Sequence, residues 1–110
     1  MLFIIIFECM QELLRQRLPE VISLLKRNKV KRAFAFGSIV TGPFNDKSDI
    51  DLLITFDERL EPFEYADNYW SLIDQLQKLF NREIDLITEK TLRNPYLINR
   101  INASKVLLYE

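Results

Sequence analysis

The stretch 31–56 constrains this chain more than any other, because it joins two apolar runs through a small-residue turn and a pair of acids. The first run ends in a Gly-Ser dipeptide, and a loop rich in Gly, Pro, Asn and Asp follows. An Asp-Ile-Asp triplet then opens the second run at residue 49. Apolar runs bounded by such residues are typical of buried strands. The stretch therefore predicts a strand, a tight turn, a loop and a second strand that carries acids.

Asp49 and Asp51 share one face of the predicted second strand, since side chains on a strand alternate between its two faces. Their Cα atoms would lie about 6.5–7 Å apart. Two carboxylates at that distance repel by roughly 2–3 kcal/mol at an effective dielectric constant of about 20. A divalent cation converts the repulsion into attraction, and Mg²⁺ prefers oxygen ligands of this kind. The triplet favours a metal site, with a solvated strand face as the alternative.

Gly37 and Ser38 follow directly on the first strand. Glycine allows a ligand to approach the backbone closely. A serine hydroxyl and the N–H groups of a following turn can bind phosphate oxygens. A Gly-Ser dipeptide alone is most often only a turn, but ten residues separate this one from Asp49. The whole pattern, Gly-Ser-x10-Asp-x-Asp, predicts phosphate binding beside a metal site.

This pattern resembles the nucleotidyltransferase superfamily of the polymerase-β type, and within it the minimal nucleotidyltransferase family. Phe36, Gly42 and the run 48–53 add to the likeness, which spans roughly residues 10–110. Members of the family usually carry a third acid on a later strand, and Asp85 fits that position.

The sequence departs from the family at two places near the turn. Many members carry an aromatic residue or arginine just after the serine and an arginine before the loop glycine, where this chain has Ile39 and Thr41. The missing positive charge affects the expected affinity for a nucleotide, whereas the predicted metal ligands are all present. Lys47 and Arg82 are other candidates for phosphate contact, although a solvated loop residue is the simpler interpretation of Lys47.

The resemblance implies an α/β (α+β) nucleotidyltransferase fold, a small mixed β-sheet with helices chiefly on one face. It implies a Mg²⁺-dependent nucleotidyltransferase with ATP as substrate and two metal ions about 3.5–4 Å apart. The catalytic residues and metal ligands would be Asp49, Asp51 and Asp85, and Gly37 and Ser38 would bind the nucleotide.

The resemblance also implies a protein partner. Minimal nucleotidyltransferases resemble antitoxins paired with HEPN-family toxins, so AMP transfer to a tyrosine of such a toxin, within a hetero-oligomer, is the expected activity. With 110 residues the chain has no separate acceptor-binding domain, which supports an external acceptor only indirectly. The alternative is a non-catalytic binding module that neutralises its partner by complex formation. A small-molecule nucleotidyltransferase that works alone is disfavoured.

Composition excludes several other functions. The chain has no histidine, so Ser-His-Asp and Cys-His catalysis are excluded, and Cys9 alone allows neither an intrachain disulfide nor a cysteine-rich zinc site. A net charge of −1 argues against binding of long nucleic acid. We expect a cytoplasmic protein of one domain that does not enter a membrane.

Element boundaries follow from apolar periodicity and turn residues. Residues 1–9 are interpreted as an apolar N-terminal extension, with a start-site artefact as the alternative interpretation. Residues 10–110 are interpreted as the domain. The first helix, with Pro19 as a kink or the start of a second helix, covers residues 8–28. The remaining elements are strands at 31–36, 49–56, 83–88 and 105–109, helices at 38–41 and 63–80, and a short helix from Pro95. The wide apolar arc of helix 63–80 favours core packing on two sides, with Tyr69 or Trp70 at a partner surface as the alternative.

Overall fold

A four-stranded mixed sheet forms the centre of the protein, in a computed structural model that describes residues 12–41, 45 and 47–110. The sheet order is β3-β2-β1-β4, with β1 antiparallel to both neighbours and β2 parallel to β3. The strands are β1 (Val30–Phe36), β2 (Ile50–Phe56), β3 (Ile84–Thr88) and β4 (Val106–Tyr109). The helices are α1 (Glu12–Arg27), α2 (Ser38–Thr41), α3 (Pro62–Phe80) and α4 (Pro95–Ser104), with a 3₁₀ turn at Glu89–Thr91. The predicted mixed α/β fold is confirmed.

The two faces of the sheet are covered unequally. Alternate residues of β1 and β2, among them Ala33, Ala35 and Leu52, are buried in one large core with apolar residues of α1 and α3. The opposite face carries a smaller cluster in which Phe36 and Leu53 pack on Ile101 of α4. Because side chains alternate along a strand, Asp51 and Asp85 belong to this second face, which α1 and α3 leave open.

Buried polar contacts and backbone turns fix the ends of the helices. α1 continues through Pro19 as one helix, so the alternative of a second helix is not realised. At its C-terminus the buried Asn28 donates from Nδ2 to the carbonyl of Leu24 (2.9 Å) and to Oε1 of Gln75 (2.8 Å), which ties α1 to α3. α3 ends at Asn81 in the left-handed conformation (φ 53°). These ends direct the chain into β1 and β3.

The outer side of α3 differs from the prediction. Leu72 and Leu76 are fully buried, but Trp70 is 67% exposed and Phe63 is 87% exposed. Core packing on two sides is therefore wrong for these two aromatics. The sheet and α1 cover only one side of the helix, and an apolar arc in the sequence does not reveal how wide the covering surface is.

Some predictions fall outside the described part of the chain. The N-terminal extension at residues 1–9, the start of the first helix at residues 8–11 and the loop position Gly42 all lie there. Within the described residues, no helix combines the length and the hydropathy that a bilayer crossing requires.

Candidate active site

The turn at Gly37 brings the end of β1 against the acids. Gly37 has φ +74°, and its carbonyl accepts hydrogen bonds from the N–H groups of Val40 and Thr41, both at 3.0 Å, which begins α2. A Cβ atom built on Gly37 would collide with Oδ2 of Asp51 and lie 3.4 Å from its Cγ. Glycine is required here for two reasons, the left-handed backbone and the close approach of a carboxylate.

A second contact, which sequence reasoning missed, fixes the same turn from the C-terminal helix. The N–H of Gly37 donates to Oγ of Ser104 (3.1 Å), and that hydroxyl donates to the carbonyl of Arg100 (3.3 Å). The Gly37 N–H is thus already used. Among the described residues the Ser38 hydroxyl has no hydrogen-bond partner, so it remains the polar side chain of the turn that a phosphate can contact.

The acids meet across neighbouring strands. Asp51 of β2 is in register with Asp85 of the parallel strand β3 and with Phe36 of β1. Because the two strands are parallel and in register, the side chains of Asp51 and Asp85 leave the same face of the sheet as neighbours. Asp49 lies one residue before β2 and is exposed. The structure therefore brings Asp51, Asp85 and Gly37 directly together, with Asp49 beside them.

Burial raises the pKa of the Asp51 carboxyl from 3.8 to about 6. The negative charge of Asp85 and, more weakly, that of Asp49 act in the same direction, whereas the positive charge of Arg100 lowers the pKa. Without a cation, the folded protein keeps a proton on the pair at higher pH than an isolated aspartate would. The site concentrates negative charge that a metal ion would neutralise.

The carboxylates fit Mg²⁺ better than a metal that needs a complete protein cage. In the part of the chain that the structure describes, no three aspartate, glutamate, cysteine or histidine side chains form a ready-made metal cluster. Mg²⁺ is commonly held by one or two carboxylates together with waters and substrate phosphates. Asp51 and Asp85, with Asp49 nearby, supply such an oxygen donor set, and the remaining ligands would come from a bound nucleotide.

Comparison with known proteins supports a nucleotide site. The sequence profile of the family described as "Nucleotidyltransferase domain" matches residues 15–108. The chain belongs to this nucleotidyltransferase family. The protein is accordingly an enzyme of the nucleotidyltransferase class, as the Gly-Ser-x10-Asp-x-Asp pattern predicted.

Individual relatives agree with this membership. The chain is 37% identical over 83 residues to a Methanocaldococcus jannaschii protein named as a protein adenylyltransferase, MJ1379, covering 76% of this chain and 81% of the relative. It is similar to a solved structure described as a minimal nucleotidyltransferase, with a TM-score of 0.66, 30% identity and coverage of 84% and 90%. A complex of tri-AMPylated Shewanella oneidensis HEPN toxin with MNT antitoxin has a TM-score of 0.60, 20% identity and coverage of 86% and 71%. The predicted family and fold are confirmed, and the roles of single site residues stay predictions.

Arg82 positions the loop of this nucleotidyltransferase that leads to Asp49. Its Nη1 donates to the carbonyls of Asn45 (2.9 Å) and Ser48 (3.0 Å). Sequence reasoning considered Arg82 for phosphate contact. The structure shows Nη1 of the guanidinium on loop carbonyls, which holds the chain that enters β2, and a phosphate contact by Arg82 stays a prediction.

We expect Arg82→Gln to lower nucleotidyl transfer about tenfold, because a loosened loop misplaces Asp49 by a fraction of an ångström. The matched control is Arg93→Gln. Nη1 of Arg93 also donates to two backbone carbonyls, those of Lys90 (3.0 Å) and Leu92 (3.1 Å), beyond the opposite end of β3. Initial transfer rates of the two variants check this expectation, provided that their melting temperatures are equal. Equal rates for both would show that the loop contact does not position the site.

Proposed function

We propose that this protein is an antitoxin that transfers AMP from ATP to a tyrosine hydroxyl of a HEPN-family toxin, in a Mg²⁺-dependent reaction. One observation carries the proposal: the Asp51–Asp85 pair lies beside the Gly37 turn on the sheet face that α1 and α3 leave open. Asp85 and Asp49 are exposed there. A tyrosine on the surface of another protein can reach such a site directly, since no pocket wall has to open.

The relatives support the choice of donor and acceptor. MJ1379 is named as a protein adenylyltransferase. The Shewanella oneidensis complex joins an MNT antitoxin to a HEPN toxin that carries three AMP groups. For the present chain, ATP as the AMP donor and a toxin tyrosine as the acceptor are inferred from these proteins and from the open site.

The residues divide the reaction between them. The acceptor oxygen attacks the α-phosphorus of ATP, the bond from that phosphorus to the oxygen bridging to the β-phosphorus breaks, and pyrophosphate leaves. The hydroxyl proton passes to the exposed carboxylate of Asp85, which lies in register with Asp51 on the neighbouring strand. Ser38 donates to a phosphate oxygen through its hydroxyl. Asp49 and Asp51, with Asp85, would hold Mg²⁺, which neutralises charge on the attacking and leaving oxygens when bound.

The product explains how transfer would silence a toxin. A tyrosine phosphodiester carries a new negative charge and a bulky adenosine. The family resemblance implies that many HEPN toxins cleave RNA, and on such a toxin these groups would repel the RNA backbone and occupy its space. Neutralisation would then outlast the complex, because the bond to AMP is covalent.

Co-expression of this chain with a HEPN-family protein from the same organism tests the proposal. We expect the partner's intact mass to rise by whole AMP increments located on tyrosine, and Asp49→Asn or Ser38→Ala to suppress them. Asp74→Asn, which removes an exposed carboxylate paired with Lys78 on α3, is the matched control and should leave the increments unchanged. A partner that is silenced yet unmodified would overturn enzymatic neutralisation and establish inhibition by binding.

A further inference from the structure

We propose that Arg100 of α4 binds the phosphate groups of the nucleotide, a role that rests on the proposed nucleotidyl transfer. Arg100 is exposed and directly precedes Ile101, which is 1% exposed and packs against Phe36 and Leu53. Phe36 is the residue before the Gly37 turn. Arg100 is therefore anchored by its neighbour beside the turn while its own side chain stays accessible.

A hydrogen-bond chain fixes this position. Ser104, one helical turn after Arg100, accepts from the N–H of Gly37 and donates to the carbonyl of Arg100. The backbone that carries Arg100 is thus joined to the turn by two bonds through one hydroxyl. A long side chain on a backbone held in this way starts next to the phosphate-binding turn and needs no rearrangement of α4 to reach it.

The charge balance of the site leaves a place for a cation. Three aspartates and a triphosphate together exceed the charge of two Mg²⁺ ions, and α2 contains no basic residue. The Nη1 of Arg82 is engaged by loop carbonyls, and Nζ of Lys105 lies 4.9 Å from the ring centroid of Phe34. Arg100, by contrast, is joined to the Gly37 turn through the hydroxyl of Ser104. No hydrogen bond or ion pair among the described residues engages its guanidinium.

A bound metal ion would change what Arg100 faces. Once cations neutralise the aspartates, the guanidinium is repelled from the carboxylate side and attracted to phosphate oxygens. Its planar donors match phosphate geometry in pairs, which an ammonium group reproduces only as a point charge. The same residue thus opposes binding of a metal ion alone and favours binding of a nucleotide with its metal.

The experiment measures these two opposite effects of Arg100 on metal binding and on nucleotide binding. Calorimetry on the full chain measures the affinity for Mn²⁺ alone and for α,β-methylene-ATP with Mg²⁺, in wild type, Arg100→Gln, Arg100→Lys and Arg27→Gln. We expect Arg100→Gln to bind the analogue about tenfold more weakly than wild type and to bind Mn²⁺ as tightly as wild type or tighter. Arg100→Lys should recover part of the lost affinity for the analogue. Arg27→Gln removes the same charge at the far end of β1, where α1 ends, and should match wild type in both titrations.

Each alternative outcome is distinct. If wild type binds the analogue and Arg100→Gln binds it equally well, the inference about Arg100 fails and the proposed function stands. If Arg100→Gln loses affinity for both ligands, Arg100 shapes the site and does not contact phosphate, and the inference fails again. If wild type itself does not bind the analogue, both the proposed nucleotidyl transfer and the role of Arg100 are contradicted.

Discussion

Replacing Asp51 by asparagine is expected to reduce AMP transfer at least ~100-fold while making the metal-free protein more stable at neutral pH. The activity falls because the neutral amide cannot hold a cation as a carboxylate does. The stability rises because Asp51 is half-buried next to a second acid, and its ionised form is unfavourable there.

The pH dependence of the stability follows from the direction in which the pKa of Asp51 is shifted. The pKa of Asp51 is about 6 in the folded protein against 3.8 as the ordinary value, so the folded state binds this proton more tightly than the unfolded chain. Its ionised form destabilises the fold above pH ~6, and this contribution is relieved as the pH falls from about 6 towards 4. After allowance for solvent screening, we expect ionised Asp51 to lower the free energy of unfolding by about 1–2 kcal/mol at neutral pH. The melting temperature of Asp51→Asn should then be roughly 5–10 °C higher than that of the wild type.

Thermal unfolding of both proteins without metal, between pH 5 and pH 8, measures this contribution, and rate assays with the partner measure the activity. The stability difference should shrink as the pH falls. Asp74→Asn, on the exposed side of α3, should change neither quantity. An Asp51→Asn protein that is less stable at every pH would show that the carboxyl pair stabilises the apo fold, against the present account. Normal turnover would remove Asp51 from the metal site.

Replacing Gly37 by alanine is expected to lower the free energy of unfolding by about 2–4 kcal/mol and to reduce transfer at least ~10-fold. Part of the cost comes from the left-handed backbone at φ +74°, which disfavours a side chain by about 1–2 kcal/mol. The rest comes from the collision of the new methyl group with Oδ2 of Asp51. The collision displaces the carboxylate that we assign to the metal, so activity and stability fall together.

A double-mutant cycle separates the two contributions. Truncation in Asp51→Ala removes the collision, so adding Gly37→Ala to it should cost only the backbone term. Lys29, a residue with a side chain at φ 65°, gives an independent measure of that term through Lys29→Gly. Denaturant unfolding of the four cycle members provides the free energies. Additive effects of Gly37→Ala and Asp51→Ala would mean that the methyl group and the carboxylate do not meet.

Much of the architecture could be predicted because its signals are local. Apolar runs bounded by turn residues predicted the strands. The Gly-Ser turn and the two acids were predicted to lie together, and the structure brings Gly37 against Asp51. The choice of Asp85 as the third acid came from the family resemblance, and its position on β3 beside Asp51 agrees with it. The helix predicted to begin at Pro95 does so, and the preceding Asn94 caps it by accepting from the N–H of Tyr96.

The rest of the site depends on contacts between distant segments. Ser104 meets Gly37 across 67 positions in the chain, and no periodicity or turn signal connects them. Arg100 lies beside the Gly37 turn only because α4 packs on the face of the sheet that carries Phe36. Asp51 and Asp85 become neighbours only through the parallel register of β2 and β3. Packing decides these neighbours, and the exposure of Trp70 was missed for the same reason.

The parallel register of β2 and β3 also sets when the chain can first act during its synthesis. Parallel strands cannot be joined by a hairpin, and here the whole of α3 connects them. A nascent chain that ends before Asp85 contains the Gly-Ser turn and both earlier acids, but the partner of Asp51 has not yet been translated. Ser104, which anchors the turn, arrives a further 19 positions after Asp85. The site is therefore incomplete until both Asp85 and Ser104 have been translated and have left the ribosome.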